Sequence, residues 1–173
     1  TDGTANRTAL NNAIASLDSV ALNTGSLIGG TVVFPPGVCI IGGGAVNMTN
    51  KQYLRLVGQT KESTRILFSG ITGHGFDMTG CDHCGLENMT VTATGGTPLA
   101  LVLQARSGAP VNAAGGKNYF EHLRVEGGVV AIYSYGSESN TYIDVDAIGQ
   151  VGYYNNAANP LAYTSSFVTI AAG

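Results

Sequence analysis

The stretch Gly29-Gly30-Thr31-Val32-Val33-Phe34-Pro35-Pro36-Gly37-Val38-Cys39-Ile40-Ile41 decides how the rest of the chain is read. A glycine pair releases the backbone into a β-branched run, which favours a strand. Pro35 and Pro36 each hold φ near −65°, and Gly37 tolerates the positive φ that follows, so the strand ends in a tight corner. A second apolar strand leaves that corner at once. Two short strands across a corner that is not a hairpin turn describe a chain that coils rather than doubles back.

Working outward, Leu10, Ala13, Ile14, Leu17 and Ala21 form the apolar stripe of one amphipathic helix, with Asn6 or Thr8 as its cap and Gly25 as its stop. Its apolar face predicts a plug over one end of the core. Residues 1–28 are therefore read as loop and capping helix, and 29–173 as coiled strands. Downstream, strands are expected at Tyr53–Gly58, Thr64–Phe68 and Phe76–Met78. A degenerate repeat then appears. Leu86-Glu87-Asn88-Met89-Thr90-Val91 and Phe120-Glu121-His122-Leu123-Arg124-Val125 share one pattern, and Tyr142-Ile143-Asp144-Val145-Asp146-Ala147 is a looser copy. Leu86, Met89, Val91, Phe120, Leu123, Val125, Ile143 and Val145 are expected to face inward. The copies are offset by 34 and then 22 residues. A circuit of three short strands and three turns needs roughly 20–25 residues, so the longer interval holds an excursion, placed at Ser107–Gly116.

Composition narrows the class. With 173 residues, 44% hydrophobic and only 11% charged, the chain has a real core, yet no apolar run approaches the length of a membrane span. A net charge of −3 with no basic patch excludes a nucleic-acid partner. Three cysteines make no complete disulfide framework. Glycine or proline interrupts every long 3.6-residue periodicity after Gly29, which removes a helical repeat. The two-residue Asp-Gly or Asn-Gly turns that a sandwich favours are absent after the helix.

The order of loop, helix, Gly-Gly, strand, Pro-Pro-Gly and strand resembles the opening segment of the pectate-lyase-like superfamily of right-handed parallel β-helices. It is closest to the segment that phage tailspikes and tail fibres share with some polysaccharide-degrading enzymes. Asp2-Gly3-Thr4, Thr8-Ala9-Leu10-Asn11-Asn12-Ala13-Ile14 and Gly29 to Gly37 carry the resemblance. The family usually has Asp-Asp-Thr before the helix where this chain has Asn6-Arg7-Thr8. The resemblance implies an all-β, right-handed, single-stranded parallel β-helix with an N-terminal capping helix. It also implies a homotrimeric shaft on a virion tail or in the extracellular space, with host-surface polysaccharide as partner. Two alternatives stand beside it: the N-terminal part of an extracellular polysaccharide lyase or glycoside hydrolase, and a subunit of an extracellular filament.

The residues themselves offer three candidate sites. In stacked copies His122 lies beside Asp144 and Arg124 beside Asp146, about 4.8 Å apart. Paired carboxylates suit glycosidic cleavage and an arginine with acids suits a lyase, whereas a ladder of offset charges explains the same residues without a ligand. Tyr133, Tyr135, Tyr153 and Tyr154 are candidates for stacking on sugar rings. Cys81, His83 and Cys84 are the only metal-like set, and their more ordinary reading is a glycine-rich corner with two semi-buried thiols. No metal or other cofactor is expected. Gly73-His74-Gly75 and Asn140-Thr141 match pieces of a polygalacturonase signature, but in the wrong order and without its Arg-x-Lys. No catalytic set is complete. A last strand at Ser166–Ile170 would leave Phe167, Val168 and Ile170 at an open end, each forgoing roughly 1.5–3 kcal/mol of burial. Further chain or another subunit is expected to cover that end.

Overall fold

The computed structural model describes residues 2–24, 29–105, 116–136 and 140–156, with backbone alone at 18–24, 155 and 156. Among these residues the chain is one helix followed by twelve strands. They are α1 (Gly3–Thr24), β1 (Gly30–Val33), β2 (Gly37–Gly42), β3 (Val46–Asn47), β4 (Leu54–Val57), β5 (Thr64–Ser69) and β6 (His74–Asp77), then β7 (Gly85–Thr94), β8 (Ala100–Ala105), β9 (Tyr119–Glu126), β10 (Val130–Tyr135), β11 (Thr141–Ile148) and β12 (Val151–Asn156). Sheet A holds β1, β2, β4, β5, β7, β9 and β11; sheet B holds β3, β6, β8, β10 and β12. Every pairing is parallel. Met89 pairs with Leu123 and Leu123 with Val145, the 34- and 22-residue offsets of the sequence repeat.

The corner at Pro35-Pro36-Gly37 recurs as a column. It separates β1 from β2, and Gly58 to Ser63 separates β4 from β5. On the next three circuits a single residue replaces it: Asn88, His122 and Asp144 sit inside β7, β9 and β11 with φ of 55°, 47° and 50°. Strand β7 thus pairs with β4 before Asn88 and with β5 after it. The left-handed residue also explains the spacing of inward positions Leu86, Met89 and Val91, which step by three and then two. A strand of period two cannot do this without a bend. Asn, Asp and His are the side chains best suited to that conformation after glycine. Tyr53, His83 and Lys117 form a second left-handed column, with φ of 54°, 56° and 54°.

The core lies between the sheets. Leu56, Leu86, Phe120 and Tyr142 stack in one column of sheet A, and Val46, Phe76, Val102, Ile132 and Tyr153 in one column of sheet B. Phe68 meets Phe76 edge-on at 5.2 Å across the interior. Of the residues expected inside, Leu86, Met89, Val91, Phe120, Leu123, Val125 and Val145 are buried. Ile143 is not. It is 42% exposed because its register partners are Glu121 and, beyond, Glu87, while Tyr142 takes the inward place and stacks on Phe120 at 5.1 Å. A polar ladder closes one interior turn: Asn118 Oδ1 accepts from the Cys84 N–H, and Asn140 Oδ1 accepts from the Asn118 N–H, each at 3.0 Å.

Helix α1 begins earlier than the sequence suggests, and Asp2 is its cap, its Oδ1 accepting from the Thr4 N–H at 3.0 Å. Asn6 is spent elsewhere, donating to the Ile40 carbonyl at 2.9 Å. Asn11 Oδ1 accepts from the Asn47 N–H at 3.0 Å, and Arg7 donates to the Gly43 carbonyl. These contacts satisfy main-chain groups of the first circuit, whose strands have a partner on one side only. Gly3 allows the close approach, since a Cβ there would lie 2.8 Å from the Gly42 nitrogen. Leu10 and Ile14 bury, Leu17 packs beside them, and Ala13 is exposed, so the stripe is narrower than expected. Ala21, Gly25, Tyr163, the strand at Ser166–Ile170 and residues 107–115 of the excursion lie outside the described residues or side chains.

Two substitutions test this arrangement by urea unfolding. Ile14→Ala removes the centre of the helix contact and is expected to cost about 2–5 kcal/mol. Asn118→Ala strands the buried Cys84 N–H and is expected to cost about 1–3 kcal/mol.

Candidate functional site

The left-handed column places a polar cluster on the outer side of sheet A. The bend at Asp144 presents its carboxylate beside the His122 ring, with Nδ1 and Oδ2 2.8 Å apart. An ionised carboxylate only accepts, so Nδ1 carries the proton and donates. His122 Nε2 lies 3.7 Å from Glu121 Oε1. Arg124 aligns with Asp146 in the ladder, but its Nε donates along its own strand to Glu126 at 3.1 Å.

Lys61 joins this cluster from far away in sequence. The corner at Gly58 to Ser63 is longer than its single-residue equivalents above and folds over them. Thr90 Oγ1 donates to the Lys61 carbonyl at 2.6 Å, which seats the loop on β7. From there the ammonium reaches β11 and donates to Asp144 Oδ1 and Asp146 Oδ2, both at 3.0 Å. Its side chain is only 15% exposed. Burial works against the Lys61 charge, but the hydrogen bonds to Asp144 and Asp146 outweigh it and raise the pKa. Hydrogen bonds from His122 and Lys61 hold the Asp144 carboxyl below the usual carboxylate range.

These shifts determine what the cluster does chemically. Acid-assisted glycosidic cleavage needs one carboxyl kept protonated near neutrality. Asp144 is driven the opposite way, and Lys61 stays an ammonium rather than a base. The arrangement accepts and donates hydrogen bonds from fixed charges. A second ion pair lies on the same sheet, where Arg55 grips Glu87 through both carboxylate oxygens. That hydrogen bond raises the Arg55 pKa.

The structure brings His122, Asp144 and Asp146 together, with Arg124 adjacent. The tyrosines belong to the other sheet. Tyr133 and Tyr154 are register partners with ring centroids 5.3 Å apart, and Tyr135 lies two residues further along β10. Tyr153 instead packs into the core edge-on against Tyr142 at 5.5 Å. Cys81 and Cys84 face the core. The Cys81 thiol donates to the Met48 carbonyl at 2.8 Å and the Cys84 thiol to the Lys51 carbonyl at 3.4 Å. Hydrogen bonding with Cys84, then burial, pushes the Cys81 thiol up. His83 turns outward, stacked on Tyr53 at 4.7 Å and paired with Asp82 at 3.0 Å. Among the described residues no group of three or more His, Cys, Asp or Glu side chains is arranged to hold a metal ion. No described helix is long and apolar enough to cross a membrane.

No family model matches the chain, and no curated protein or solved structure matches it either.

The ion-pair geometry carries a pH dependence. The folded-state pKa of Asp144 is depressed, so its stabilising contribution is complete above the unfolded value, about 3.9, and is lost as pH falls through the lower folded value. A carbon-detected NMR titration is expected to place the Asp144 midpoint below that of a free aspartate. Lys61→Met or His122→Ala is expected to move the midpoint back up and to reduce the loss of stability on acidification.

Proposed function

We propose that this chain is a right-handed, single-stranded parallel β-helix of the pectate-lyase-like kind, and that it is the shaft of a phage tailspike or tail fibre, a virion attachment protein that binds host-surface polysaccharide. The observation that carries the reading is the pairing pattern. Each strand finds its parallel partner one circuit later, from β1 with β4 to β10 with β12, across offsets of 21 to 34 residues. Parallel crossovers of this kind are right-handed in nearly all proteins. The opening segment supports the tailspike comparison, and the exposed Tyr135 and Tyr154 supply aromatic surface of the type that binds sugars. A homotrimer is part of the proposal, as is a virion-tail or extracellular location.

A second reading, the N-terminal part of a polysaccharide lyase or hydrolase, rests on the cluster of Lys61, His122, Asp144 and Asp146. Its charge states favour binding over proton transfer, so it stands second.

Binding by affinity electrophoresis against a polysaccharide panel, and mass by light scattering, test the proposal. Retarded migration in at least one polysaccharide is expected, with a trimer mass and no release of reducing ends or unsaturated products. Turnover that disappears in Asp144→Asn or Asp146→Asn would replace this reading with the enzyme.

A further inference from the structure

The two sheets differ sharply in charge. The strands of sheet A carry eight Asp, Glu, Lys or Arg residues: Arg55, Arg65, Glu87, Glu121, Arg124, Glu126, Asp144 and Asp146. The five strands of sheet B carry one, Asp77, whose Oδ1 is held by the Thr79 N–H at 3.0 Å and the Thr79 hydroxyl at 2.6 Å. The outer face of sheet B aligns Asp77, Leu103, Tyr133 and Tyr154 in one column, with Tyr135 beside it. Tyr135 is 40% and Tyr154 46% exposed.

We infer that the ligand is a neutral polysaccharide lying on this face of sheet B, with its chain running across the strands. This inference rests on the polysaccharide-binding reading and narrows it. A uronate or sialate carboxylate would find no lysine or arginine on any of these five strands. On sheet A it would meet Arg55, Lys61 and Arg124, each already engaged by a carboxylate of the protein. A neutral sugar needs no counter-charge. Its C–H face packs on a tyrosine ring and its hydroxyls meet the phenol oxygens. The rungs repeat at about 4.8 Å, close to the length of one pyranose ring, so successive sugars meet successive strands.

The test uses the full chain in affinity electrophoresis against dextran and mannan as neutral probes, and polygalacturonate and alginate as acidic ones. Tyr133→Ala and Tyr154→Ala are compared with Tyr154→Phe, which keeps the ring, and with Lys61→Met on the other sheet. Urea midpoints confirm that each variant folds. Retardation by a neutral probe is expected. It should weaken roughly three- to tenfold in each alanine variant and persist in Tyr154→Phe and Lys61→Met. Binding confined to the acidic probes, or binding lost in Lys61→Met and kept in both alanine variants, overturns the neutral-ligand inference and leaves polysaccharide binding intact. Loss of the oligomer in Tyr154→Ala makes this face a contact between copies and overturns the inference too. No retardation by any probe overturns both.

Discussion

Hydrogen bonding between parallel strands one circuit apart constrains everything else in this molecule. Each interior strand gives its N–H and C=O groups to the circuit before and the circuit after, so register is inherited along the stack. Once Leu86 pairs with Phe120, Tyr142 must follow in the same column and Ile143 must face out, whatever its hydrophobicity. The same rule leaves the first circuit with main-chain groups lacking a neighbouring strand. Helix α1 meets part of that need with the side chains of Asn6, Arg7 and Asn11, while Leu10 and Ile14 cover the apolar end.

The corner in sheet A shows how one constraint yields both shape and chemistry. A three-residue Pro-Pro-Gly corner on the first circuit becomes a six-residue loop on the second and a single left-handed residue on the third, fourth and fifth. Shrinking the corner opens a ledge, and the long loop of the second circuit folds across it. Lys61 then bridges Asp144 and Asp146 and turns three left-handed positions into a fixed charge network. The exposed half of that network is worth little in stability because solvent screens it. Its larger effect is to keep Asp144 ionised, and that separates a binding surface from an acid catalyst.

Much of the fold was legible in the sequence because repeats report register directly. Met89, Leu123 and Val145 could be aligned by their pattern alone, and the pairing follows that alignment. The left-handed column was half legible: Asn88, His122 and Asp144 are residue types that favour it, whereas Tyr53 and Lys117 give no such hint. His122 beside Asp144 followed from the same alignment. Lys61 did not, because it belongs to no repeat copy and its contact depends on how far a loop reaches over the strands. The helix cap was misplaced for a related reason. Asp2 and Gly3 read as loop in isolation, and only the close packing of Gly3 on Gly42 draws the helix back to them.

The central claim is that each strand lies parallel between its counterparts on the neighbouring circuits. Nuclear Overhauser contacts from the backbone of Leu123 measure this most directly. The account predicts simultaneous contacts to the Met89 and Val145 regions, without the short Hα–Hα contacts of opposed antiparallel residues. Antiparallel Hα–Hα contacts at Leu123, or contacts to only one of those two strands, would contradict it.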